Sequence, residues 1–187
     1  MIYHARRKVI HPNLMRIIGI DPGTVSTGYG VVEEKAPGRL AYIESGVIAS
    51  SPKSTLPGRL KKIHDELTRL FELHRPSAVV IEDTFVAKNA QAALKLGQAR
   101  GVVLLAAETF GLPAFEYTPT QVKSSVVGYG GAGKDQVQRM VARLLESSPE
   151  MAPGPATSHA SDALACAICH INSVKVGTLM FGGTANS

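Results

Sequence analysis

The chain has 187 residues, of which 44% are hydrophobic and 19% charged, and a formal net charge of +5. That length suits one domain with a continuous core that needs no disulfide or structural metal, and the composition excludes a disordered, collagen-like or coiled-coil chain. The positive charge fits a polyanionic partner, although other basic proteins share it. No apolar run approaches the roughly 20 residues that span a bilayer, and no signal-peptide pattern follows Arg6, Arg7 and Lys8, so the sequence predicts a cytoplasmic protein.

Met15 to Ile20 is a short apolar run closed by Asp21-Pro22-Gly23, the pattern of a buried strand ending in a turn. Thr27 to Glu33 and Leu40 to Ile48 are rich in β-branched and aromatic residues and are bounded by turn residues, which predicts two further strands in an antiparallel meander. Leu60, Ile63, Leu67, Leu70 and Phe71 recur at three and four, one stripe of an amphipathic helix from Leu56 to about His74, and Pro76 ends it. Ala78 to Ile81 is the next buried strand, and Glu82 follows it as Asp21 follows the first. Asn89 to Phe110 reads as a long helix with Ala and Leu on more than one face, consistent with burial by the sheet and by a second subunit. Ala114 to Tyr117 is a brief last strand. After it come a helical turn around Gln121 to Val126, a glycine-rich loop over Gly128 to Gly133 and a helix from Asp135 to Leu145. Pro149 to Pro155 is a loop, and Thr157 or Ser158 caps a final helix through about Asn172. Beyond Val174 there is no periodicity, which predicts a frayed or disordered tail.

Functional groups in open α/β sheets gather outside the carboxyl ends of strands, where Asp21 and Glu82 both fall. Either acid alone is an ordinary turn residue or cap. His159 and Asp162, three apart near a helix start, leave one face together, and the apolar run that follows presses that helix on the core. Capping explains such a pair too, but a cationic imidazole is disfavoured at the positive end of a helix, which points to a neutral or metal-bound ring. An acid cluster attracts hard divalent cations, and two such ions support phosphodiester hydrolysis, so Mg2+ is the expected cofactor, with Mn2+ as substitute or preferred ion. Cys166-x-x-Cys169-His170 has the spacing of a c-type haem attachment, yet it lies in an Ala-rich apolar run and reads as packing. Gly128 to Lys134 has the glycine and lysine spacing of a P-loop, but Asp135 stands where a Ser or Thr should hold magnesium.

These residues resemble the RuvC family of Holliday junction resolvases. The resemblance runs from Met15 to about Ser173 and is carried by Met15 to Gly23, Gly28-Tyr29-Gly30, Glu82 to Asn89, Ala93 to Gly101, Phe115 to Tyr117, Gln121 to Lys123, Val126 to Gly128 and Ser161 to Ala165. It implies an RNase H-like α/β fold, a mixed five-stranded sheet flanked by helices. It also implies a homodimer that resolves four-way DNA junctions by paired symmetric nicks, leaving 5′-phosphate and 3′-hydroxyl ends, beside the branch-migration proteins RuvA and RuvB. Asp21, Glu82 and Asp162 match the family's catalytic acids. His159 stands at a position that is often an acid, a departure that softens the ligand set. Phe85 matches an aromatic placed near the junction crossover, where a ring can stack on an unpaired base, and Lys88 lies in the same loop. Lys123 and Lys134 match basic DNA-binding positions. For Lys95, Arg100, Arg139 and Arg143, a solvated helix face is as good a reading as a DNA contact.

The expected organisation is an N-terminal extension over residues 1–14, a nuclease domain over 15–174 and a tail over 175–187. The extension is outside the family pattern, and Met15 stands where family members commonly start, so a basic arm and a start at Met15 are both open. Two other functions compete with junction cleavage. One is a junction-binding module without turnover. The other is a nucleotide-binding phosphotransferase-like domain, since Asp21-Pro22-Gly23-Thr24 resembles the phosphate-binding turn of the sugar-kinase and actin class; a chain of this length, however, lacks the second domain that closes on a nucleotide.

Overall fold

The computed structural model describes residues 15–51, 53–83, 90–145 and 155–181. Three strands come first, β1 (Met15–Asp21), β2 (Ser26–Ala36) and β3 (Arg39–Ala49), followed by helix α1 (Leu56–His74) and strand β4 (Ala78–Glu82). Helix α2 (Ala90–Thr109), strand β5 (Ala114–Tyr117) and helices α3 (Pro119–Val127), α4 (Lys134–Leu144) and α5 (Pro155–Phe181) complete the chain. The sheet order is β3-β2-β1-β4-β5. β1 pairs antiparallel with β2, and β2 with β3, whereas β1–β4 and β4–β5 are parallel. This mixed five-stranded sheet flanked by helices is the expected RNase H-like architecture.

Strand side chains alternate between faces, so each strand feeds two cores. Ile18, Ile20, Val31, Val79 and Ile81 pack with Ile63, Leu67, Leu70 and Phe71 of α1 and Val103 of α2. On the opposite face Ile17, Val32, Ala78 and Val80 pack with Val122 of α3, Val141 of α4 and Leu164, Ala167, Ile168 and Ile171 of α5. By the same alternation Asp21 and Glu82, which follow Ile20 and Ile81, share the α5 face.

Local signals explain most boundaries. Thr55 caps α1 by accepting from the Gly58 amide, and Arg75 closes it in a left-handed conformation at φ 47° with its own amide bonded to the Phe71 carbonyl. α3 is longer than the turn the sequence predicted. Thr118-x-x-Gln121 is a capping box: the Thr118 hydroxyl accepts from the Gln121 amide and the Gln121 side chain accepts from the Thr118 amide at 2.8 Å, with Pro119 pre-set at the first turn. α5 departs from expectation at both ends. It begins at Pro155 rather than at a Thr157 or Ser158 cap, and its backbone continues to Phe181, past the predicted stop near Asn172. Loss of apolar periodicity marks where a helix stops packing, not where its hydrogen bonding stops. The N-terminal extension and the last six residues lie outside the described residues. Among those described, no helix is long and apolar enough to cross a membrane.

The capping box holds the helix that carries Val122 and Lys123. Thr118→Ala is expected to lower stability by about 1 kcal/mol in urea unfolding. An unchanged midpoint would show that Pro119 and core packing alone set this helix start.

Candidate active site

Parallel pairing of β1 with β4 sets Ile20 opposite Ile81, so the carboxylates one residue on lie side by side at the strand ends. Asp21 is buried and Glu82 mostly so. Thr27 pins the turn after Asp21, its hydroxyl donating to the Gly23 carbonyl at 2.7 Å and accepting from the Gly23 amide. Above this edge lies the start of α5. Its His159 Nδ1 is 2.5 Å from Asp21 Oδ2, and Asp162 Oδ2 accepts from Lys134 Nζ of α4 at 2.7 Å. Glu82, Asp162, Lys123 and Lys134 border a cleft of about 250 Å³ floored by Pro119, Val122, Val137 and Ala165.

The electrostatics of this edge are frustrated. Burial pushes the Asp21 carboxyl above the ordinary carboxylate range; the hydrogen bond and charge of His159 offset part of that, while Asp162 adds repulsion. Burial and the neighbouring charges of Asp21 and Asp162 push Glu82 up to about 7, against a smaller opposing pull from Lys134.

Four predicted site residues, Asp21, Glu82, His159 and Asp162, are therefore brought to one place. Lys134 joins them directly, as the ion-pair partner of Asp162, and Lys123 stands at the rim. Phe85 and Lys88 lie outside the described residues. Arg100 is engaged within the fold, where its guanidinium grips both carboxylate oxygens of Glu116 on β5 at 2.5 and 2.6 Å. The cysteines are buried free thiols in the α5 core, and His170 is buried with Nδ1 3.0 Å from the Tyr117 hydroxyl, so the Cys-x-x-Cys-His run is packing. The Gly128 to Gly133 loop joins two helices and follows no strand, which removes the strand–loop–helix setting of a P-loop. Sequence reasoning missed the structural part of Gly19, Gly28 and Gly30, whose α5-facing sides are filled by helix atoms. The spacing Gly28-Tyr29-Gly30 was visible, but only as a family block.

Among the described residues, no three His, Cys, Asp or Glu side chains form a ready metal cage. The chemistry of this edge nevertheless fits a divalent cation, because Asp21 and Glu82 lie where burial penalises their charge, with Asp162 and the His159 imidazole beside them. Lys134 brings a balancing positive charge to Asp162, and His159 a hydrogen bond to Asp21.

A carboxyl whose pKa is higher in the fold than in the unfolded chain stabilises below its unfolded value, and that contribution is lost as pH rises through the folded one. For Glu82 the window is about 4.5 to 7. In chelator-treated protein, Glu82→Gln is expected to gain on the parent chain by roughly 1–3 kcal/mol between pH 5 and pH 8. Parallel stability curves for the two proteins across that range would contradict a strained Glu82.

A family model described as "Crossover junction endodeoxyribonuclease RuvC" matches residues 17–170. The RuvC of Trichlorobacter lovleyi is 49% identical over 162 residues, 87% of this chain and 88% of that protein. The RuvC of Geobacter sulfurreducens is 48% identical over 166 residues, 89% of this chain and 98% of that one. Among solved structures, T. thermophilus RuvC in complex with a Holliday junction substrate superposes with a TM-score of 0.81 at 36% identity, covering 88% of this chain and 97% of that one. The yeast mitochondrial Holliday junction resolvase Ydc2, at TM-score 0.63 and 14% identity over 84% of this chain and 78% of its own, shares the fold. With the family model spanning most of its length and relatives near half identical, the chain belongs to the RuvC family of crossover junction endodeoxyribonucleases.

Proposed function

We propose that this protein is a structure-specific endonuclease that resolves four-way DNA junctions in recombination and repair, with Asp21, Glu82, His159 and Asp162 as its catalytic and metal-holding set. The observation that carries this reading is the meeting of those four side chains at one sheet edge beside a lysine-rimmed cleft, in a chain of the RuvC family. Asp21, Glu82, His159 and Asp162 would hold magnesium, or manganese in its place, which would supply positive charge at the scissile phosphate and acidify a water; the carboxylate count suits two ions. Asp21 is held for this by His159 Nδ1, which fixes the direction of its Oδ2. Glu82, whose charge is penalised by burial and by its acidic neighbours in the metal-free fold, gains a counter-charge when a cation binds beside it. Lys134 shields Asp162 and lies close enough to the cleft to exchange that carboxylate for a DNA phosphate, with Lys123 as a second phosphate contact. Phe85 and Lys88 are proposed to meet the DNA at the crossover.

Two copies are needed for paired symmetric nicks, which leave 5′-phosphate and 3′-hydroxyl ends. Support comes from α2, which buries Ala99, Val103, Ala106 and Ala107 inward while Leu94 and Leu105 are 64% and 60% exposed. Work in the cytoplasm beside RuvA and RuvB completes the proposal.

Asp21→Asn tests the reading on a mobile four-way junction with Mg2+ or Mn2+. The parent chain is expected to make paired nicks, and the variant to bind the junction while nicking at least about a hundredfold more slowly. If neither protein cuts while both bind, the chain is a junction-binding module instead. For His159, exchange to Asp is expected to lower the Mn2+-to-Mg2+ rate ratio. An unchanged ratio would take His159 out of the ligand set.

A further inference from the structure

We propose that Gly28 is a positioning residue: by lacking a side chain it lets the first turns of α5 rest on β2, and so sets His159 against Asp21 and tunes the affinity of the site for a divalent cation. This rests on the metal-site reading above.

The antiparallel register puts Gly28 directly opposite Asp21 and Gly19 directly opposite Gly30. All three glycines face α5, as Ile17 and Val32 do further along the same strands. They form a bare strip under the helix. A Cβ at Gly28 would overlap the His159 carbonyl group and come within 2.8 Å of the His159 Cβ. A Cβ at Gly19 would overlap the Ala163 carbonyl and lie 3.0 Å from the Ala167 amide nitrogen, while one at Gly30 would meet the Leu164 side chain at 2.6 and 2.7 Å. Real Cβ contacts essentially never fall below 3.0 Å, so each glycine fixes how closely the helix approaches.

The three differ in what they touch. Gly30 presses mainly on a leucine side chain, and Gly19 presses on helix backbone one turn beyond the site. Gly28 alone of the three touches His159 itself, and it is paired to the strand residue that His159 bonds. Behind this point α5 is locked by fully buried Ala163, Leu164, Ala167 and Ile168. A methyl at Gly28 therefore cannot be absorbed by sliding the whole helix; it lifts the His159 end and breaks the 2.5 Å contact to Asp21.

The control is Gly46, where an added Cβ would meet the Tyr29 hydroxyl and ring at 2.7 to 2.9 Å, away from α5. Parent chain, Gly28→Ala and Gly46→Ala are compared without DNA by calorimetric Mn2+ titration and by the rise in Tm with Mn2+. We expect Gly28→Ala to need roughly tenfold more Mn2+ or beyond for half-saturation, the range seen when supporting groups of a metal site are altered, and Gly46→Ala to lose Tm with its Mn2+ midpoint unmoved. A parent-like midpoint in Gly28→Ala, or an equal shift in Gly46→Ala, overturns the inference. Absence of any Mn2+ binding by the parent chain would instead overturn the metal-site reading.

Amide exchange of the parent chain in chelator keeps the inference testable even if Gly28→Ala does not fold. If the strand seats the helix, amides from His159 to Ala163 are protected before metal is added, to within about tenfold of their metal-loaded rates. Protection that arises only on adding Mn2+ would show that the ion, and not Gly28, places this turn.

Discussion

The parallel pairing of β1 with β4 is the constraint on which the site depends. Hydrogen bonding fixes the register, alternation fixes the face, and together they oblige Asp21 and Glu82 to share one largely buried edge. Neither carboxylate can turn away without giving up the apolar residue before it, since Ile20 and Ile81 are fully buried on the opposite face. Shifting either strand by one residue would turn Ile20 or Ile81 to the α5 face and drive the carboxylate into the α1 core, so the hydrophobic core itself keeps two like charges together.

The rest of the molecule accommodates that imposed repulsion. α4 brings an ammonium to Asp162, α5 brings an imidazole to Asp21, and Glu82 is left with its proton affinity raised. A fold that retains such a cluster forgoes stability that an apolar edge would provide, the pattern of a site selected for chemistry rather than for packing. Lys134 is paired with Asp162 and shields that acid; its role as a phosphate ligand belongs to the function proposed above.

Much of this was legible in the sequence. The strands ending at Asp21 and Glu82 follow from short apolar runs, and α1 from its three-and-four spacing, because burial writes itself directly into residue type. What stayed hidden depends on tertiary placement. The pairing of Lys134 with Asp162 spans two helices whose mutual orientation no local pattern encodes. The elevated proton affinity of Glu82 requires knowing what surrounds it. Gly19, Gly28 and Gly30 carry no side chain to show periodicity, so their common face emerges only once the register is known. The start of α3 differs: its signal is local, a capping box in Thr118 and Gln121, and lies before the apolar residues that mark the helix.

His159 and Asp21 are partners across 138 positions of chain. Closing so long a loop is entropically costly and comes late, after the meander and α1 can form from nearer neighbours. During synthesis from the N-terminus, the first and second acids emerge with their strands while the last helix is still to be made. A chain interrupted before α5 would present the sheet edge without His159 or Asp162, so the order of synthesis withholds the complete four-residue cluster from any product that stops short of that helix and assembles it only when α5 docks.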